Sequence, residues 1–102
     1  MIHVVAVITA RPGLRDVVLN HFHAIVPDVR AEKGCIEYVP VVDAETDIPV
    51  QTRYGPDTFV VIEKWESVEA LRAHGVAPHM AAYGARTKEL VADRAIYVLA
   101  EA

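Results

Sequence analysis

His74 and His79 bracket Gly75 and Pro78, which places both imidazoles at a change of chain direction, where polar side chains can be aimed at a cavity. An imidazole exchanges its proton near neutral pH without special tuning, so either could serve as a general base. The competing reading for each is structural, a helix cap or a hydrogen bond across the turn. A metal role has no local support: the spacing is not the HExxH of a zinc helix, and no carboxylate stands at ligand spacing beside the pair. The other three of the five histidines are weaker candidates. His21 and His23 lie roughly 200° apart around a helix and cannot share an ion. His21 joins the apolar helix face as a boundary residue, and His23 is solvated. His3 sits in a strand beside Val5 and Val7 and is a candidate to point into a pocket between sheets.

Aromatic residues supply the rest of a possible site. Trp65 closes a strand, Tyr38 stands on a neighbouring one, and Tyr83 faces inward from the last helix. They could wall a flat ligand or simply fill the core. Arg86 borders the same helix edge as His79 and could hold an anion or phenolate, although a surface ion pair is the ordinary use of an arginine. Trp65, Tyr83, Tyr38, Arg86 and His3 are therefore the substrate-binding candidates. No Ser-His-Asp order, phosphate-cradling glycine loop or dinucleotide fingerprint occurs, so hydrolase, kinase and nicotinamide chemistry have no support.

The elements that must position these residues follow from periodicity. Ile2 to Ala10 alternates as a strand that is apolar on both faces, and Arg11-Pro12-Gly13 ends it. From Leu14 the spacing Leu14, Val17, Val18, His21, Phe22, Ile25, Val26, Val29 is helical and closes at Gly34, with a kink or restart expected at Pro27. Cys35 to Val42 reads as the second strand and Thr58 to Lys64 as the third. The fifteen residues Asp43 to Asp57 between them form a long connection in which Val50-Gln51-Thr52 could add a short strand. Ser67 can cap a helix that stops at Gly75. Pro78 suits the first turn of another, with Met80, Tyr83, Thr87, Leu90 and Val91 inward, and Ala95 to Ala100 is the fourth strand. This order predicts an α+β fold on the ferredoxin-like, split βαβ plan, an antiparallel sheet with helices on one face. Because the strands are apolar on both faces, above all Phe59-Val60-Val61-Ile62 and Ile96-Tyr97-Val98-Leu99, the uncovered face would exceed the few hundred Å² that a monomer tolerates. A homodimer, two sheets packed about a twofold axis, is the simplest cover.

Composition agrees with one domain spanning residues 1–102: 53% of residues are hydrophobic and 24% charged. The apolar runs fall short of a membrane span, and the start lacks the pattern of a signal peptide, so a cytoplasmic protein is expected. One cysteine, Cys35, can form neither an intrachain disulfide nor a thiolate cluster. The formal charge of −4 offers no footprint for nucleic acid.

Arg11-Pro12-Gly13, then Glu32-Lys33-Gly34-Cys35, then the run from Phe59 through Glu63, Lys64 and Trp65 to Ser67, then His74 followed by Ala77-Pro78-His79, give the chain a family likeness. In this order and spacing, over nearly its whole length, it resembles the antibiotic biosynthesis monooxygenase domain, a group that includes quinol monooxygenases. The resemblance implies a dimeric α+β barrel. It also implies oxidation of a small aromatic, phenolic or hydroquinone-like substrate by dioxygen without a bound flavin, metal or haem. An electron-rich phenolate can itself reduce oxygen, so the protein need only bind it, remove its proton and keep the anion dry. By this resemblance His74 or His79 is the base, and Trp65 and Tyr83 shape the pocket. Haem-degrading relatives carry their functional Asn, Trp and His at positions matching Ala6, His74 and Gly84, so haem is disfavoured. The Asp43 to Asp57 connection is longer than in many relatives and is a candidate to close the pocket or reach across a dimer.

The leading expectation is thus a cofactor-independent oxygenase. A non-catalytic dimeric ligand-binding or stress-related module, and an oxygen-independent isomerase or lyase on the same scaffold, are the alternatives. Oxygen uptake, and its loss when His74 or His79 becomes Ala, separates them.

Overall fold

Strand alternation and helical spacing produce seven elements in the computed structural model, which describes residues 1–102. They are β1 (Ile2–Ala10), α1 (Arg15–Arg30), β2 (Cys35–Val41), β3 (Thr58–Trp65), α2 (Val68–Gly75), α3 (Pro78–Thr87) and β4 (Val91–Ala100). All neighbouring strands are antiparallel, in the order β2-β3-β1-β4. The helices pack on the face that carries Val4, Ala6, Phe59, Val61 and Trp65, against Val18, Phe22, Ile25 and Val29 of α1. No helix is long and apolar enough to cross a membrane.

The expected barrel is not formed. β2 and β4 are the two edges of an open sheet, separated by β3 and β1, and no ladder joins them. Strands lie about 4.8 Å apart, and four of them are too few to bend round and meet edge to edge while helices fill the concave side. The ferredoxin-like α+β plan stands without closure.

Several local expectations also shift. Pro27 lies within a continuous α1, because it falls in the last turn beside exposed His23, whose carbonyl can turn to water. The helix ends at Arg30, before Gly34. The α3 helix stops at Thr87, and Val91 opens β4, since pairing with β1 runs from Ile2↔Ala100 down to Ala10↔Val91. Val50-Gln51-Thr52 adds no strand. The connection is braced by its own side chains instead: the Asp43 carboxylate accepts the N–H groups of Tyr54 and Gly55 (3.0 and 2.9 Å), and Gln51 donates to the Ala44 carbonyl at 2.8 Å.

The other face of the sheet has no helix. Register and alternation put Val5, Val7, Ile62, Tyr97 and Leu99 on it, and Tyr97 and Leu99 are 53% and 46% exposed.

Candidate active site

Between the sheet and the α2–α3 pair lies a cavity of about 850 Å³. Val4, Ala6 and Val61 floor it, Leu71, Met80 and Tyr83 overhang it, and Ile96 and Val98 border it on β4, where no helix covers them. An apolar hollow with a few convergent polar groups is the usual form of a small-molecule site. The polar groups here are His74, Glu63 and Tyr38 at its inner end, with Lys88, Asp93 and Arg94 towards solvent.

His74 is held by a device that begins forty-two residues earlier. After α1 the chain turns at Gly34 with φ +86°, a left-handed conformation that favours glycine. A Cβ at Gly34 would stand 2.6 Å from the Ala70 Cβ, so glycine is also required for the turn to seat against α2. The Gly34 carbonyl accepts the Glu66 N–H at 2.9 Å and fixes that contact. The turn thereby carries Glu32 under the α2–α3 junction. Ser67 caps α2 through the Ala70 N–H, and Pro78 at the first turn of α3 redirects the chain so that His79 returns to the same point. One oxygen, Glu32 Oε2, then accepts from His74 Nδ1 at 2.9 Å and His79 Nε2 at 2.7 Å. A carboxylate only accepts, so the His74 proton resides on Nδ1 and Nε2 is left as the basic nitrogen. Nε2 makes no hydrogen bond within the protein, yet it is not sealed from solvent, in a residue that lines the cavity.

Glu32, His74 and His79 are also the group that could attract a metal ion, their donor atoms lying within 4.8 Å of one another. Two imidazole nitrogens on one ion, each about 2.1 Å from it, can be no more than about 4.2 Å apart. The cluster as placed is closed by hydrogen bonds, and an ion would have to break both of them.

Glu63 was not singled out by its sequence position, although its alternation with Phe59, Val61 and Trp65 puts it on the helix-facing side of β3. It is 6% exposed. One carboxyl oxygen accepts the Trp65 indole N–H at 2.9 Å. Burial pushes its carboxyl above the ordinary carboxylate range, partly opposed by the Trp65 hydrogen bond and the nearby His74. Burial likewise raises the Tyr38 phenol, and it pushes Tyr83 up to about 12, so neither ionises near neutral pH.

The remaining candidates are distributed unevenly. Tyr38 and Tyr83 line the cavity. Trp65 is fully buried behind it, its ring 4.7 Å from that of His74, so it supports the imidazole from the rear. His79 is off the cavity wall and braces Glu32. Arg86 is exposed on α3 outside the wall, and its charge, with that of Arg94, acts on the Tyr83 phenol from a distance. His3 alternates with Val4 and lies on the face of the sheet away from the helices. Glu32 could not be anticipated by spacing, because only the Gly34 turn brings it to the histidines.

Fold and site together define a class: the chain belongs to the antibiotic biosynthesis monooxygenase family, whose profile matches residues 1–86. Family membership supports an oxidoreductase function of the monooxygenase type. Among similar proteins is the Escherichia coli K12 protein described as "Probable quinol monooxygenase YgiN", 43% identical over 101 residues, covering 97% of this chain and 96% of that one. Of solved structures, PA3566 from Pseudomonas aeruginosa superposes with a TM-score of 0.82 at 27% identity, over 99% of this chain and 93% of that one. Rv0793 from Mycobacterium tuberculosis gives 0.80 at 28% identity, over 99% and 94%.

Proposed function

We propose that this protein oxidises a small phenolic or hydroquinone-type aromatic with dioxygen, without a bound cofactor, and that His74 is the base. The observation that carries this reading is the free His74 Nε2 at the inner end of an apolar cavity, its tautomer set by Glu32. The cavity of about 850 Å³ has room for a fused-ring aromatic beside Tyr83 and Met80. Transfer of the substrate hydroxyl proton to Nε2 leaves an electron-rich phenolate, which can pass an electron to oxygen directly, and Glu32 offsets the imidazolium charge. The quinol named for the Escherichia coli relative fits this chemistry.

The same reading includes a homodimer. Val5, Val7, Ile62, Tyr97 and Leu99 form a helix-free apolar face, and a second copy placed about a twofold axis would cover it with its own equivalent.

The test is oxygen consumption by chelator-treated protein against hydroquinones, naphthols and anthrones, with boiled protein as control. Protein-dependent uptake that survives chelation supports the reading. Uptake no faster than autoxidation across the panel contradicts it and favours a binding module or an oxygen-independent reaction.

A further inference from the structure

The cavity holds a second group with unused capacity, and it belongs to Glu63. Its β-sheet neighbours are Val4 on β1 and Tyr38 on β2, so a carboxyl has been placed where alternation calls for an apolar side chain. Burying a carboxyl costs stability unless its oxygens are satisfied. One oxygen serves the Trp65 indole N–H at 2.9 Å, a need that a neutral amide would meet equally well. The other oxygen has no hydrogen-bond partner in the protein, and it is not among the side-chain atoms sealed from solvent, so it opens into the cavity that Glu63 lines. Trp65 links this oxygen to the base: its N–H holds Glu63 and its ring packs at 4.7 Å on His74. Glu63 and His74 therefore stand side by side at the inner end of the cavity.

We propose that Glu63 is a specificity-determining residue, whose free carboxyl oxygen accepts a hydrogen bond from a second hydroxyl of the aromatic substrate while His74 takes the first. The preferred substrates are then dihydroxy aromatics, and monophenols of equal size bind less well. The proposal rests on the reading of His74 as the base of a phenol-oxidising site. A hydrogen bond to an ionised or strongly polar group is worth enough to give a preference of about tenfold or more.

The experiment is calorimetric titration under argon, with naphthohydroquinone and a naphthol bearing one hydroxyl as the probes. Oxygen uptake by the wild-type protein is measured in parallel. Wild type should bind the diol about tenfold or more tightly than the naphthol. Glu63→Gln keeps an acceptor for Trp65 but presents an amide to the cavity, and it should lose most of that preference through weaker diol binding, with the naphthol little changed. Glu63→Asp, which withdraws the carboxyl by one methylene, should do the same and stands in should the Gln variant fail to fold. A diol preference that persists in the folded variant, or equal weakening of both probes, overturns the role of Glu63 while uptake by wild type leaves the base assignment intact. Wild type that binds neither probe and consumes no oxygen overturns both.

Discussion

His74 and Glu32 are joined through Nδ1 and Oε2 at 2.9 Å across a sequence separation of forty-two residues. The bond orients the imidazole, because a carboxylate only accepts and so keeps the ring proton on Nδ1, leaving Nε2 without a partner in the protein. His79 donates to the same oxygen from the other side at 2.7 Å, so it holds Glu32 in position while remaining off the cavity wall.

A graded response to mutation follows. Glu32→Gln replaces the carboxylate that accepts from His74 Nδ1 with an amide and should lower the rate of oxygen uptake about tenfold or more, the worth of one charge-assisted hydrogen bond. His79→Ala should cost less, since the His74–Glu32 bond survives it. Initial rates on one naphthohydroquinone, compared across the two variants, check the ranking. A His79→Ala loss larger than that of Glu32→Gln would reverse the assignment of roles.

Gly34 is the backbone pivot of the site. Gly34→Ala forces a side chain into φ +86° and onto the Ala70 Cβ at 2.6 Å. Strain and overpacking together should cost about 2–4 kcal/mol, read as a lower urea midpoint. Gly13 has a similar φ of +79° but open space around it, so Gly13→Ala should cost only the backbone strain, about 1–2 kcal/mol.

Glu63 should leave a mark on the pH dependence of stability. Its folded-state pKa is raised by burial, so the folded protein holds its proton over a range where the unfolded chain has released it. Stability from this group is fully present below its ordinary value of 4.5 and declines as pH rises from there through the raised folded-state pKa. Glu63→Gln, which cannot ionise, should therefore melt a few degrees above wild type at pH 7 and lose that advantage towards pH 4. Thermal melts of both proteins across this range provide the check, and a constant difference at every pH would contradict it.

The helix-free face predicts an oligomeric state. Wild type should sediment at twice the 11.2 kDa chain mass, and Tyr97→Asp or Ile62→Asp, each placing a charge within the apolar patch, should yield monomers. Wild type that sediments at the single-chain mass would remove the dimer from the account.

Much of this architecture was legible in the sequence because it rests on local periodicity. Alternation from Ile2 to Ala10, helical spacing from Val18 to Val29, the Ser67 cap and the Pro78 start each encode their own element. The length of β4 was not, since Val91 to Arg94 become strand only by pairing with β1. Closure into a barrel failed for a similar reason: it depends on how two edge strands lie relative to each other, which no strand records in its own pattern. Within the candidate site, the place of His74 beside a helix break is what the sequence offers for proposing it. Glu32 was hidden because only the turn that follows α1 brings it to the histidines, and Glu63 because a charged residue in a strand ordinarily faces water. His3, out of phase with buried Val4, lies on the helix-free face and so away from the cavity under α2 and α3; only a second sheet packed on that face would give it a pocket.

The proposed function makes His74 the base of a cofactor-free aromatic oxidation. The most direct measurement is the oxygen-uptake rate of chelator-treated wild type and His74→Ala on the best substrate, with circular dichroism confirming that both are folded. The variant's rate should fall about 10²- to 10⁴-fold, the usual worth of a positioned general base. A folded His74→Ala protein that consumes oxygen at the wild-type rate would contradict it.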